Sequence, residues 1–368
     1  MAKGKMKKGL KITLIILGIL LALIIAALLI APKMIVKNIY KQNFGTRFTS
    51  FEPYCRDIAE FDGLEREKHV FTSNEGQKIT GYVYTKGDTE PKGLIVLAHG
   101  FGGGGHCSYM DVADYFASNG YNVFAYDATG NDESEGESVK GLPQGVIDLD
   151  YALNYIKADE ELSDLPLMLW GHSWGGYSAC SVSKLHPEIE GIISVAGFNS
   201  SLDMIENVGR DMAGDAIDYA MPIFEDLEKD KFGDFATMTA LDGLEQSTAD
   251  VLIYHSADDD MIPIELSYDK YYEKFADNER FTFVRFEDRG HNHIFNSADG
   301  LKYRAEVEAK YDEYCKEIGE FYFTGEMHTE FVKENVDKMK FFELDSETMA
   351  QMLEFYDNCI QGISKNPF

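Results

Sequence analysis

No aspartate or glutamate occurs in the first 41 residues, and no Cys-x-x-Cys pair occurs anywhere in the chain. Cysteine is scarce: Cys55, Cys107, Cys180, Cys315 and Cys359. An odd count without metal-ligand spacing excludes a thiolate metal site and argues against a full disulfide framework. Cys315 and Cys359 could still pair, and Cys180 reads as a buried thiol. There is no G-K-[ST] triplet and no G-x-G-x-x-G opening a helix ahead of a ribose-binding acid, which excludes the common phosphate cradles. Repeats and low-complexity tracts are missing as well. Positive charge is rare outside the leading segment: beyond residue 41 there are 26 basic against 63 acidic residues, a net charge near −37. Nucleic acid and anionic surfaces should be repelled by such a domain. Solubility explains the acidity most simply, although a cationic substrate would also suit it.

What the chain does have begins with that leading segment. "MAKGKMKKGLK" carries five lysines, and Ile12–Ala31 is an uncharged apolar run of 20 residues. At 1.5 Å per residue a helix of that length matches a bilayer core. No clean small-x-small site follows it, so an uncleaved anchor is expected, with a cleaved signal peptide and secretion as the alternative. The lysines favour an inside N-terminus, placing the remaining domain outside and making the lipid bilayer a partner through Ile12–Ala31. Residues 42–68 read as a linker, 69–300 as the main domain and 301–368 as a helical tail without evident chemistry.

Within the main domain the pattern alternates. His69–Lys86 reads as a hairpin turning at Asn74–Gly76. Strands follow at Gly93–Ala98, Tyr121–Asp127, "LPLMLW", Ile189–Gly197, Val251–Ser256 and Arg280–Asp288. Amphipathic helices separate them, as at Tyr109–Gly120 and Gly145–Leu162. Continuous apolar strands alternating with helices predict an α/β fold with a mostly parallel β-sheet, flanked by helices on both faces. Residues 198–249 break the rhythm with a helical, Met-rich, acidic stretch that reads as a lid insertion over the sheet.

The segment "LWGHSWGGYSAC" (Leu169–Cys180) places Ser173 between Gly171 and Gly175, at the junction of a strand and a helix. Such a turn presents a nucleophile on a tight, strained backbone. A serine hydroxyl needs a base, and His291, after Gly290 and past the last strand, is in position for it, with His293 as the rival. A third group must orient the imidazole. "YHSADDDMIP" offers Asp258, Asp259 and Asp260, of which Asp259 is preferred. Carbonyl chemistry also requires oxyanion donors. The backbone N–H groups of Trp174 and Phe101 are the candidates, the second from "LAHGFGGGGHC" (Leu97–Cys107), where five glycines in seven residues allow close backbone approach. His99 and His106 read as structural.

Together, "HGFGG", "YDATGNDESEG" (Tyr126–Gly136), "GHSWGGY", "HSADDDMIP" and "GHNHIF" resemble the α/β-hydrolase fold from about His69 to Phe295, and within it monoglyceride-lipase-like hydrolases and S33-type serine peptidases. The third family motif is usually D-x-R-G-x-G-x-S. In this chain threonine (Thr129) replaces its arginine and aspartate (Asp132) its second glycine. The resemblance implies a serine hydrolase that cleaves carboxylic esters through Ser173, His291 and Asp259 and an acyl-enzyme, without metal or organic cofactor. An aminopeptidase-like serine peptidase is the alternative, and a non-catalytic binding protein of the same fold the third. Small-molecule esters or peptides are the expected partners.

Overall fold

The computed structural model describes residues 8–319 and 324–362, apart from the side chains of residues 8–14 and 21–29. The apolar runs of the main domain pair into one eight-stranded sheet: β1 (Leu64–Thr72), β2 (Lys78–Lys86), β3 (Leu94–Ala98), β4 (Asn122–Tyr126), β5 (Leu167–His172), β6 (Ile189–Val195), β7 (Asp250–Ser256) and β8 (Phe281–Phe286), in the order β1-β2-β4-β3-β5-β6-β7-β8. β2 runs antiparallel to β1 and β4, and all other neighbours are parallel. β3 and β5 are buried along their whole length. That burial explains their unbroken Leu, Ile, Val and Trp content, because both faces of a parallel sheet meet helices.

The helices divide between those faces. On one side α2 (Met110–Ser118) and α12 (Ser346–Ile360) pack Phe116, Met352 and Tyr356 against Ile95, Trp170 and Leu252. On the other, α3 (Pro143–Ala158), α4 (Trp174–Val182), α7 (Ala240–Gln246) and α8 (Tyr268–Phe275) pack Leu149, Tyr177, Leu244 and Tyr271 against Val96 and Val251. α12 comes from the tail. Its Tyr356 hydroxyl donates to the Leu169 carbonyl at 2.7 Å, and Asp345 caps it by accepting from the Thr348 amide. Between β6 and β7 lie α5 (Ser201–Ala213), α6 (Met221–Phe232) and α7. After β8 come α9 (Ala298–Ile318), α10 (Gly325–Asn335) and α11 (Lys338–Phe341).

The expected membrane anchor is corrected. The run Ile12–Ala31 lies in a 37-residue helix, α1 (Lys8–Phe44), but among the described residues no helix is long and apolar enough to cross a membrane. The single-pass placement and the bilayer as partner are withdrawn with it. The lysines at positions 3, 5 and 7 and the side chains at 12–14 and 21–29 lie outside what is described. The described apolar face near the end of α1 is buried against protein: Val36 and Tyr40 are each 3% exposed, packed on Ile217, Phe224 and Phe232. Apolar composition alone does not distinguish burial against protein from burial in lipid. The cysteine reading changes too. Cys55 and Cys107 form a disulfide, while Cys180, Cys315 and Cys359 are free thiols.

α1 is joined to the inserted helices by a buried carboxylate. Glu228 on α6 is fully buried, and its Oε1 accepts from the Tyr40 hydroxyl at 3.0 Å and the Ser201 hydroxyl at 2.7 Å. Oε2 has no hydrogen-bond partner. Burial pushes the Glu228 carboxyl up from 4.5 to about 7, against the lowering pull of those two hydroxyls. A raised folded pKa means that the native state keeps a proton the unfolded chain has already released. The stabilisation is therefore complete below pH 4.5 and is lost as pH rises through about 7. This carboxyl alone should make stability fall by roughly 2–3 kcal/mol across that window. Glu228→Gln is neutral throughout, so melting curves at pH 5 and pH 8 should lie closer together for the variant than for the wild type. An unchanged spacing would show that Glu228 stays ionised in the fold.

Candidate active site

β5 ends at His172 and α4 begins at Trp174, so the chain reverses at Ser173 alone. Ser173 adopts φ 55° and ψ −114°, a backbone conformation that costs an L-residue strain. The turn is tight because its walls are backbone. A Cβ on Gly175 would strike the Ala98 carbonyl, and one on Gly171 would strike Gly175. Ser173 Oγ lies 2.9 Å from Nε2 of His291, and His291 Nδ1 lies 2.8 Å from Oδ2 of Asp259. One tautomer satisfies both contacts: Nδ1–H donates to the carboxylate, leaving the Nε2 lone pair to accept from the serine hydroxyl.

Asp259 is 6% exposed, and its Oδ1 accepts from the amides of Met261 at 3.0 Å and Ile262 at 2.8 Å. Its two neighbours are exposed. Asp258 accepts from the Gly290 amide at 2.8 Å and the Ser256 hydroxyl at 2.6 Å, fixing the turn that leads into His291. Asp260 makes neither contact. His293 lines the same cavity without touching Ser173 or Asp259. His99 and His106 do not line it: His99 spans the Gly100 carbonyl and the Ala128 amide, and His106 spans Asp127 and the Tyr84 hydroxyl.

The amide of Trp174 belongs to the first turn of α4 and has no intrahelical acceptor. Among the described residues the Phe101 amide also has no hydrogen bond. The two side chains meet edge to face at 5.6 Å, which keeps the Gly-rich loop against the start of α4.

A buried chain of hydrogen bonds, missed in the sequence, joins that loop to His291. The Gly100 amide donates to the Tyr109 hydroxyl at 2.9 Å, the hydroxyl meets His172 Nδ1 at 2.9 Å, and His172 Nε2 meets the His291 carbonyl at 3.1 Å. These donors and acceptors fit together only if His172 is neutral. Burial and the neighbouring His291 hold its pKa down at about 3. The position of His172, beside the serine in "GHSWGG", was a signal. Tyr109, 63 residues away, left none.

Above Ser173 opens a cavity of about 850 Å³. Its apolar part comes from α1 (Ile35, Val36, Ile39) and from the insertion (Ile205, Val208, Phe224). The other end is polar, with Asn292, His293, Asn296 and Arg304. Among the described residues, no aspartate or glutamate lines the cavity. Among the described residues no group of His, Cys, Asp and Glu could hold a metal ion.

Residues 89–213 match the family described as serine aminopeptidase, S33. Over 114 residues the chain is 35% identical to a monoacylglycerol lipase of Mycolicibacterium smegmatis, covering 30% of this chain and 39% of that protein. A monoglyceride lipase of Saccharomyces cerevisiae is 31% identical over 112 residues, covering 28% of this chain and 34% of the lipase. The chain thus spans well under half the length of these curated relatives. A Pyrococcus furiosus esterase superposes over 71% of this chain and 94% of its own, with a TM-score of 0.50 at 15% identity. The chain has the α/β-hydrolase fold.

Its departure from the usual third motif has a structural account. In this chain Asp132 stands where the motif has its second glycine, with φ 30°, and its carboxylate is used. Oδ2 accepts from the Gly105 amide at 2.7 Å, and Oδ1 accepts from the Ser50 amide at 2.6 Å. A clamp on the Gly-rich loop replaces backbone freedom. At the arginine position, Thr129 is tied to the buried Asp148 through its hydroxyl at 2.9 Å and its amide at 2.7 Å.

Proposed function

We propose that this hydrolase cleaves carboxylic esters with a medium or long acyl chain. Ser173 Oγ attacks the ester carbonyl as His291 Nε2 takes its proton, while Asp259 holds the imidazole and offsets its charge. The oxyanion is received by the amides of Phe101 and Trp174. His291 then protonates the departing alcohol, and the same groups activate water to release the acid from Ser173. The observation that carries the reading is the cavity: about 850 Å³, apolar on the side of α1 and the insertion, and without a carboxylate among the described residues that line it. A free amino terminus would need carboxylates there, so the lining favours an ester over an aminopeptidase substrate. The lipase and esterase names among the similar proteins point the same way.

The test is hydrolysis of acyl esters of two to sixteen carbons beside aminoacyl and prolyl amides, using the full chain. Rates should climb with chain length to an optimum above about eight carbons, since each buried methylene contributes about 0.8 kcal/mol. Amides should stay near background. Turnover confined to amides would replace this reading with the peptidase.

A further inference from the structure

The polar end of the cavity has groups that neither the chemistry at Ser173 nor the packing accounts for. Arg304 projects from α9, and its Nε donates to the Phe341 carbonyl at 2.5 Å. The guanidinium lies over the Phe341 ring at 4.3 Å and beside Phe342 at 5.3 Å, which holds its plane in place. Both terminal nitrogens lack a hydrogen-bond acceptor among the described residues. No carboxylate among those residues comes within ion-pair distance: Glu308 and Asp111 act on it from farther away, and Asp111 is already paired with Arg56. In a chain of net charge −29, where carboxylates are plentiful, that is an unusual place to leave a cation.

Beside it stand His293, whose Nδ1 is buried without a hydrogen bond, and Asn296, whose side-chain amide donates to the Glu343 carbonyl at 3.4 Å. Asn296 is 2% exposed and lines the cavity. Burial and the nearby Arg304 lower the pKa of His293, against the raising pull of hydrogen bonds to the Asn292 backbone and the Asn296 side chain, and Nδ1 can donate to a ligand when it carries the ring proton. Leaving buried donors unpaired is costly, and a ligand that accepts from the Arg304 terminal nitrogens and from His293 Nδ1–H removes that cost.

Direction follows from the chemistry. His291 protonates the leaving alcohol, so the alcohol side of the ester faces the His291 loop, and Asn292, His293 and Asn296 directly follow that residue. Arg304 stands beyond them. The acyl chain takes the opposite, apolar side. We propose that Arg304 and His293 form a subsite for an anionic group, phosphate or carboxylate, carried on the alcohol portion of the ester. A planar fork fixed against an aromatic ring suits bidentate binding of either oxyanion. The overall negative field of the protein opposes anions, so any selectivity must come from these local contacts. The inference rests on the ester reading above.

The test compares oleate release by the full chain from 1-oleoylglycerol, its 3-phosphate and 3-(oleoyloxy)propanoate in one detergent. The wild type should favour at least one of the two anionic esters by tenfold or more in kcat/KM, and which one it favours identifies the anion. Arg304→Gln should erase that preference, mainly through KM, while kcat/KM for 1-oleoylglycerol changes less than about threefold. Arg304→Lys should recover part of it. Equal wild-type rates on all three, or a loss in Arg304→Gln shared equally by neutral and anionic esters, would overturn the subsite and leave ester hydrolysis standing. Release of oleate from none of them would overturn both.

Discussion

Asp259→Asn is expected to lower kcat by about 10⁴ with little change in KM, the size associated with trapping the wrong histidine tautomer. The geometry sets the direction. Asp259 Oδ1 is held by two amide donors, Met261 and Ile262. An asparagine must keep its carbonyl oxygen on those amides, because its NH2 group cannot accept from them. The NH2 is thereby turned toward His291 Nδ1, which must then accept, placing the ring proton on Nε2. That nitrogen can no longer take the proton of Ser173. Asp258→Asn keeps an oxygen for Gly290 and Ser256 and should cost less than about tenfold, an effect on loop position of the size of one or two net hydrogen bonds. Asp260→Asn should change nothing measurable. A larger loss at Asp258 than at Asp259 would transfer the orienting role to Asp258.

Ser173→Ala is expected to reduce ester turnover by about 10⁶ and to abolish labelling by a serine-directed phosphonate, leaving what the backbone amides and binding alone supply. Ser173→Gly should be equally inactive, but the two variants should differ in stability. At φ 55° alanine retains the strain of serine, whereas glycine escapes it, so Ser173→Gly should be more stable than Ser173→Ala by about 1 kcal/mol. Full turnover in either variant would remove Ser173 from the mechanism. Equal stability would mean that the turn stores no strain.

What could be read from the sequence was local or periodic. Apolar runs alternating with helices indicated a parallel sheet, and the chain order of Ser173, Asp259 and His291 follows from short motifs at strand ends. The unread features involve partners far apart in sequence. The Tyr109–His172 contact joins residues 63 apart, and the Cys55–Cys107 disulfide joins residues 52 apart. Neither has a spacing signature. The tail was read as empty of chemistry, yet Arg304 and Phe342 line the cavity, and α12 completes the core beneath Trp170. α1 was misread for a different reason: the run Ile12–Ala31 has the length and composition of a bilayer span, and composition alone does not say what such a run faces.

That wall has a consequence for how the molecule is made. Ile35 and Ile39 face the same cavity as Phe342, across some three hundred residues of chain. Ser173, Asp259 and His291 all precede the last of these. On a ribosome Ser173, Asp259 and His291 therefore emerge after α1 and before Phe342, so the cavity is completed last, and contacts of such long sequence separation form late. A nascent chain would carry these three residues with one wall of the cavity still missing, and should first react with the phosphonate at its mature rate only after residue 342 has cleared the exit tunnel.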